Sequence, residues 1–167
     1  MLDLIVKNGQ VITPQGPGLW DIGIRGEHIV AVAAPGSLPA GSARVIDVAG
    51  KIVSPGGVEP HTHLAHGIMS HPDEPSTTLG PEDDTRGMAF GGTTTHIDFC
   101  YVRPGAGDIQ PVLEERAARW KGQSYVDYSF HVTLSGVLPL RIFDQISEAI
   151  QAGHPSFKVF TTNVLPP

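Results

Sequence analysis

The first fifty residues alternate between apolar and polar positions in short runs separated by turn residues. "LDLIVKNGQVIT" (residues 2–13) holds two β-rich runs on either side of Asn8-Gly9, a pair that predicts a hairpin. "DIGIRGEHIVAVA" (21–33) predicts two strands joined at Gly26-Glu27, and "ARVIDVAGKIVSPG" (43–56) two more, broken near Ala49-Gly50. Two-residue turns imply antiparallel pairing. Residues 1–50 therefore read as a small β-sheet unit.

From residue 51 the pattern changes period. "KIVSPGGVEPHTH" (51–63) is a strand with a bent end, and "GPEDDTRGMAFGG" (80–92) a helix ended by Gly91. "TTTHIDFCY" (93–101) is a strand, and "IQPVLEERAARWKG" (109–122) a helix with Pro111 in its first turn and Gly122 beyond its end. "YVDYSFHVTL" (125–134), "LRIFDQISEAIQAG" (140–153) and "SFKVFTT" (156–162) repeat strand, helix and strand. The strands are nearly continuous apolar runs, as expected where both sheet faces are covered. Residues 51–167 thus predict a parallel α/β unit of four strands and three helices, half of what a closed (β/α)8 barrel needs. The chain stops at "NVLPP", directly after an apolar strand, so a truncated barrel is expected.

Composition narrows the classes. With 167 residues, 40% hydrophobic and 17% charged, the chain is of ordinary globular type. A net charge of -6 and no long Lys/Arg cluster argue against a nucleic-acid partner. No apolar stretch is long enough for a membrane span. The N-terminus lacks a basic region and a small-residue cleavage site, so no signal peptide is expected. The single cysteine, Cys100, excludes an intrachain disulfide and fits a reducing compartment. The expected location is the cytoplasm.

Two features carry chemistry. Residues i and i+2 of a strand share a face, so His61 and His63 project together with Thr62 turned away. Two neutral imidazoles at the end of a first barrel strand make a pair of metal ligands; two surface histidines in a Gly/Pro turn is the alternative. Lys158 stands between Phe157 and Val159-Phe160, where a buried ammonium is costly. A neutral amine there can react with carbon dioxide to give an anionic carbamate with two oxygens for divalent cations. The alternative is a lysine that snorkels to solvent from the strand end. His66 and His71 lie in the loop after the first strand and read as solvated. Asp98 shares a face with His96 and is either a partner to a ligand histidine or a cap on the following turn. His131 reads as a satisfied interior histidine or a polar residue facing the barrel mouth. "EERAARWKG" reads as an ordinary solvated helix face.

"GGVEPHTHL", "AFGGTTTHIDFC", "VDYSFHVTL" and "PSFKVF", in this order and at these spacings, closely resemble the dihydropyrimidinase/hydantoinase branch of the amidohydrolase superfamily. The resemblance implies a TIM-like barrel beside a small β-sandwich built partly from residues 1–50. It also implies a site for two divalent metals, zinc by preference with manganese or iron possible chemically. His61 and His63 would bind one metal, and Lys158, carboxylated by carbon dioxide, would bridge both. In that family a metal-bridging hydroxide attacks the carbonyl of a cyclic amide or ureide, and the ring opens to an N-carbamoyl amino acid. Two more histidines and the catalytic aspartate belong to strands beyond residue 167, so no catalytic residue is expected in this half, and the chain is expected to be inactive alone. The family pattern has a tyrosine as oxyanion donor five residues after the lysine; here it is Asn163. Glu59 stands where relatives carry aspartate. Family analogy also implies a homotetramer. The alternative function is a non-catalytic relative that keeps the scaffold for oligomerisation.

Overall fold

A computed structural model describes residues 1–68 and 76–161. The chain divides into two compact units, Met1–Pro55 and Gly56–Pro167.

The first unit is a five-stranded sheet: β1 (Leu4–Thr13), β2 (Gly16–Arg25), β3 (His28–Ala33), β4 (Arg44–Asp47) and β5 (Ile52–Val53). The path runs β3-β2-β1-β4, with β5 also on β1, so the sheet claims residues beyond position 50. Inward positions Ile5, Val11 and Ile22 form its buried core. Two expectations are corrected here. No hairpin forms at Asn8-Gly9: β1 runs straight through, and its pairing with β2 shifts register between Val6 and Gly9. Asn8 does adopt the left-handed conformation, φ 64°, but it serves a bulge. Its N–H donates to buried Asp21 at 3.0 Å, and its side-chain amide donates to Asp47 at 3.0 Å. Gly9 has no room for a side chain, since an added Cβ would lie 2.8 Å from Val53 and 2.9 Å from Val48. The hairpin turn falls instead between Thr13 and Gly16. The pairing of β4 and β5 also differs from the antiparallel expectation. Both pair with β1 in parallel, Leu4–Lys7 against Arg44–Asp47 and Gln10–Val11 against Ile52–Val53. The break near Ala49-Gly50 is therefore a step past the β1 bulge and reverses nothing.

In the second unit β6 (Gly57–Thr62) is followed by a small antiparallel ladder, β7 (Gly67–Ile68) with β8 (Ser76–Thr77), and by helix α1 (Pro81–Gly91). β9 (Thr93–Val102), α2 (Ile109–Trp120), β10 (Asp127–Leu134), α3 (Arg141–Asp144), α4 (Ile146–Gln151) and β11 (Phe157–Val159) complete it. The strands lie in the order β11-β10-β9-β6 and every pairing is parallel, the arrangement expected of a half-barrel. Trp120, Ile109 and Leu113 of α2 and Ile142 of α3 pack with Phe130, Val132 and Val102 of the sheet in one buried cluster.

Helix boundaries differ from expectation in two places. α1 ends one residue later, because Gly92 rather than Gly91 takes the left-handed conformation, φ 88°. The third helix is broken into α3 and α4 at Gln145. That side chain accepts the N–H of Ile109 at 2.8 Å and donates to Asp108 at 2.7 Å, so the break supplies a cap to α2. Among the described residues no helix is long and apolar enough to cross a membrane.

Candidate metal centre

His61 and His63 sit where β6 ends, and the strand period turns their rings to one side. The centroids are 5.2 Å apart, edge to face. Thr62, pointing the other way, is buried and pinned to β9. It accepts from Nδ1 of His96 at 3.1 Å and donates to the carbonyl of Ile97 at 3.3 Å. The intervening threonine therefore fastens the strand end while leaving both imidazoles on the sheet's other face.

The group they face is Phe99 of β9. Its ring centroid lies 4.7 Å from that of His61, 4.7 Å from His63 and 4.9 Å from His131. The Nζ of Lys158 on β11 lies 4.3 Å from the same centroid and 5.1 Å from that of Phe160. His61, His63 and Lys158, which come from the first and fourth strands of this sheet, thus gather around one aromatic ring. Phe99 stacks on the face of His63, with 17° between planes, and His66 meets the same ring at 88°. Burial, followed by the neighbouring His66 and His61, holds His63 below its ordinary pKa, against the pull of Asp98. An imidazole held below its ordinary pKa beside a second imidazole is a donor pair of the chemical type that binds divalent cations.

Other polar groups are already committed. Asp98 is fully buried on the opposite face of β9 and accepts the N–H of Leu64 at 3.2 Å. Arg116 of α2 donates to it at 3.1 Å, to the carbonyl of Leu64 at 2.7 Å and to Nε2 of His66 at 2.6 Å, with its guanidinium 4.1 Å from the Trp120 ring centroid. His63, His66 and Asp98 offer ligand atoms within 4.8 Å of one another, a spacing that would suit a metal ion. The guanidinium already supplies a cation to two members of that group, so it reads as a salt-bridged clamp on the loop that carries His63. Both ring nitrogens of His131 are engaged, one with Ser156 and the other with the carbonyl of Pro60.

Several expectations change accordingly. His66 is half-buried against Asp98 and Arg116, where a solvated loop histidine was expected. Asp98, read as a partner to a ligand histidine or a cap on the following turn, is buried and meets His66, Arg116 and the Leu64 N–H. The helix face expected to be solvated contains Arg116, with 11% of its side chain exposed, while Arg119 and Glu115 form the outward i,i+4 pair. A signal for Arg116 was present: Leu113, Arg116 and Trp120 follow one buried helical stripe. Phe99, central to the cluster, carried no sequence signal beyond strand hydrophobicity. Asn163 and His71 lie outside the described residues.

Cys100 faces away from the cluster, fully enclosed, and burial pushes its thiol up to about 11. At pH 8 it should carry roughly a hundredfold less thiolate than an exposed cysteine. Iodoacetamide should accordingly label it slowly in the native chain and at least ~100-fold faster in denaturant. Equal rates would contradict this burial.

The fold and its strand-end residues define a class first: an α/β half-barrel of parallel strands that gathers imidazoles and a lysine on one face. The relatives are more specific. The D-hydantoinase of Rhizobium radiobacter is 32% identical over 163 residues, covering 95% of this chain and 33% of that protein. The allantoinase of Bacillus licheniformis is 31% identical over 158 residues, covering 95% and 33%. The crystal structure of dihydropyrimidinase from Brevibacillus agri superposes with a TM-score of 0.83 at 30% identity, over 96% of this chain and 34% of that one. No family model matches. The chain belongs to the hydantoinase/dihydropyrimidinase family of amidohydrolases, and it spans about a third of the length of the relatives it matches.

Proposed function

We propose that the complete protein is a metal-dependent hydrolase that opens the ring of a small cyclic amide or ureide, and that this chain contributes part of its metal centre. The observation that carries the reading is the convergence of His61, His63 and Lys158 around Phe99. The names of two relatives, hydantoinase and allantoinase, point to cyclic ureides as the substrate class.

In this reading His61 and His63 would hold one divalent cation, zinc by preference. Lys158 as the neutral amine would add to carbon dioxide, forming an N–C bond and releasing a proton to solvent, and the resulting carbamate would supply anionic oxygen to the metal centre. When bound, a pair of such cations lowers the pKa of water and polarises a carbonyl oxygen. The chain's own residues prepare the site. His63 stays neutral and available to coordinate, Phe99 provides an apolar wall behind the donors, and the Asp98–Arg116 clamp holds the loop beyond His63. Asn163 is the candidate oxyanion donor, with a shorter and less acidic reach than a phenol. Completion of the (β/α)8 barrel and of a β-sandwich around residues 1–50, a homo-oligomeric state and a cytoplasmic location belong to the same proposal. The chain alone is proposed to be inactive.

The test is metal analysis of the complete protein together with turnover of five- and six-membered cyclic ureides. About two divalent metals per chain are expected. Chelation should abolish formation of the N-carbamoyl product, and added zinc or manganese should restore it. A folded, metal-free protein without turnover would favour the scaffold reading instead.

A further inference from the structure

β6 and β10 are not neighbours; β9 lies between them. Backbone pairing fixes each to β9 and leaves their mutual spacing to side chains. The β6–β9 ladder is also irregular where it matters. Glu59 pairs with His96 and Thr62 with Asp98, so Pro60 and His61 share one partner position and bulge from the ladder. Pro60 has no N–H to donate. The His61 N–H is taken by the Glu59 carboxylate at 3.0 Å, and the Pro60 carbonyl finds its partner outside the ladder.

That partner comes from β10. The His131 ring passes over Phe99, and its Nε2 lies 2.7 Å from the Pro60 carbonyl oxygen. Its Nδ1 lies 2.6 Å from Oγ of Ser156. A carbonyl only accepts, so Nε2 carries a proton; in the neutral ring Nδ1 then accepts from the serine hydroxyl. Ser156 opens the approach to β11, its own carbonyl accepting the N–H of Val132 at 2.9 Å, and it stands two residues before Lys158. One imidazole thus binds the residue before His61 and the residue two before Lys158.

We propose that His131 is a positioning residue that sets the spacing between His61 and Lys158. The inference rests on the metal-centre reading above. Both of its nitrogens are used on protein atoms, so it acts through those two neighbours and is not itself a ligand. A strand bulge held at one point and a lysine approach held at another become a single unit through the shared ring.

The experiment uses the complete protein, stripped of metal and titrated with cobalt(II) against a competing chelator. Wild type should bind and give the visible spectrum of a low-symmetry site. His131→Phe keeps the aromatic contact with Phe99 and loses both hydrogen bonds; affinity should fall roughly 10- to 100-fold with a changed spectrum. Ser156→Ala, which removes one hydrogen bond and little packing, should weaken binding several-fold in the same direction. Adding it to His131→Phe should cost nothing further, since both act through the same contact. His131→Gln, able to donate and accept across a similar span, should recover part of the affinity. Wild-type affinity and spectrum in Ser156→Ala and in any His131→Phe protein that folds would overturn the assignment. Failure of wild type itself to bind cobalt would overturn the metal-centre reading, and the two failures are distinct.

Discussion

Lys158→Ala in the complete protein is expected to empty the metal centre and to lower turnover by roughly 10³-fold or more. The lysine Nζ stands with His61 and His63 at the Phe99 ring, so its loss removes the group proposed to supply two anionic oxygens to the cations. Lys158→Arg should fail nearly as badly. A guanidinium keeps the charge and the aromatic contact, yet it stays protonated and does not form a carbamate under these conditions. The arginine variant therefore separates carbamate chemistry from a plain cation–π contact. Acetate or propionate, small enough to enter the space left in the alanine variant, should restore part of the metal content and part of the rate. Metal analysis and kcat/KM, with and without added carboxylate, are the measurements. Full activity of Lys158→Ala in carboxylate-free buffer would end the carbamate proposal.

Breaking the clamp behind the site should cost stability on a different scale. Asp98 is fully buried and Arg116 nearly so, and each is the other's charge partner. Asp98→Leu strands a guanidinium, and Arg116→Met strands a carboxylate. Each single change should destabilise the fold by about 3–5 kcal/mol. The double replacement Asp98→Leu with Arg116→Met should recover much of that loss, because both charges leave the interior together and no unpaired ion remains. Urea unfolding midpoints of the four proteins give the coupling directly. Additive losses would show that the two residues do not act as a pair. The aspartate variant should also loosen the loop beyond His63, since Asp98 accepts the Leu64 N–H.

The parallel α/β pattern was readable because each strand and helix declares itself within a short window. Apolar runs, Pro111 in a first helical turn and a glycine past each helix end need no partner to be recognised. His61 and His63 were readable as a same-side pair for the same reason, since a strand's alternation is a local rule. Lys158 was conspicuous as a charge between apolar neighbours. Asn8 shows the limit of such local reading. A left-handed asparagine serves a hairpin or a bulge equally well, and the choice went to the bulge because Asp21 and Asp47 take its donors.

The sequence by itself thus determined the class of fold and the alternation of strands and helices from α1 onward, and it put His61, His63 and Lys158 forward as candidates. Tertiary structure alone decided which groups meet. Arg116 turned inward because a buried carboxylate eighteen positions away needed a counter-charge. The third helix broke because Gln145 satisfies an N–H thirty-six positions earlier. His131 came to bridge strands that do not touch each other along the ladder. Periodicity is a property of neighbours along the chain, whereas a buried donor, acceptor or charge is satisfied by whatever the folded sheet carries to within about three ångströms of it.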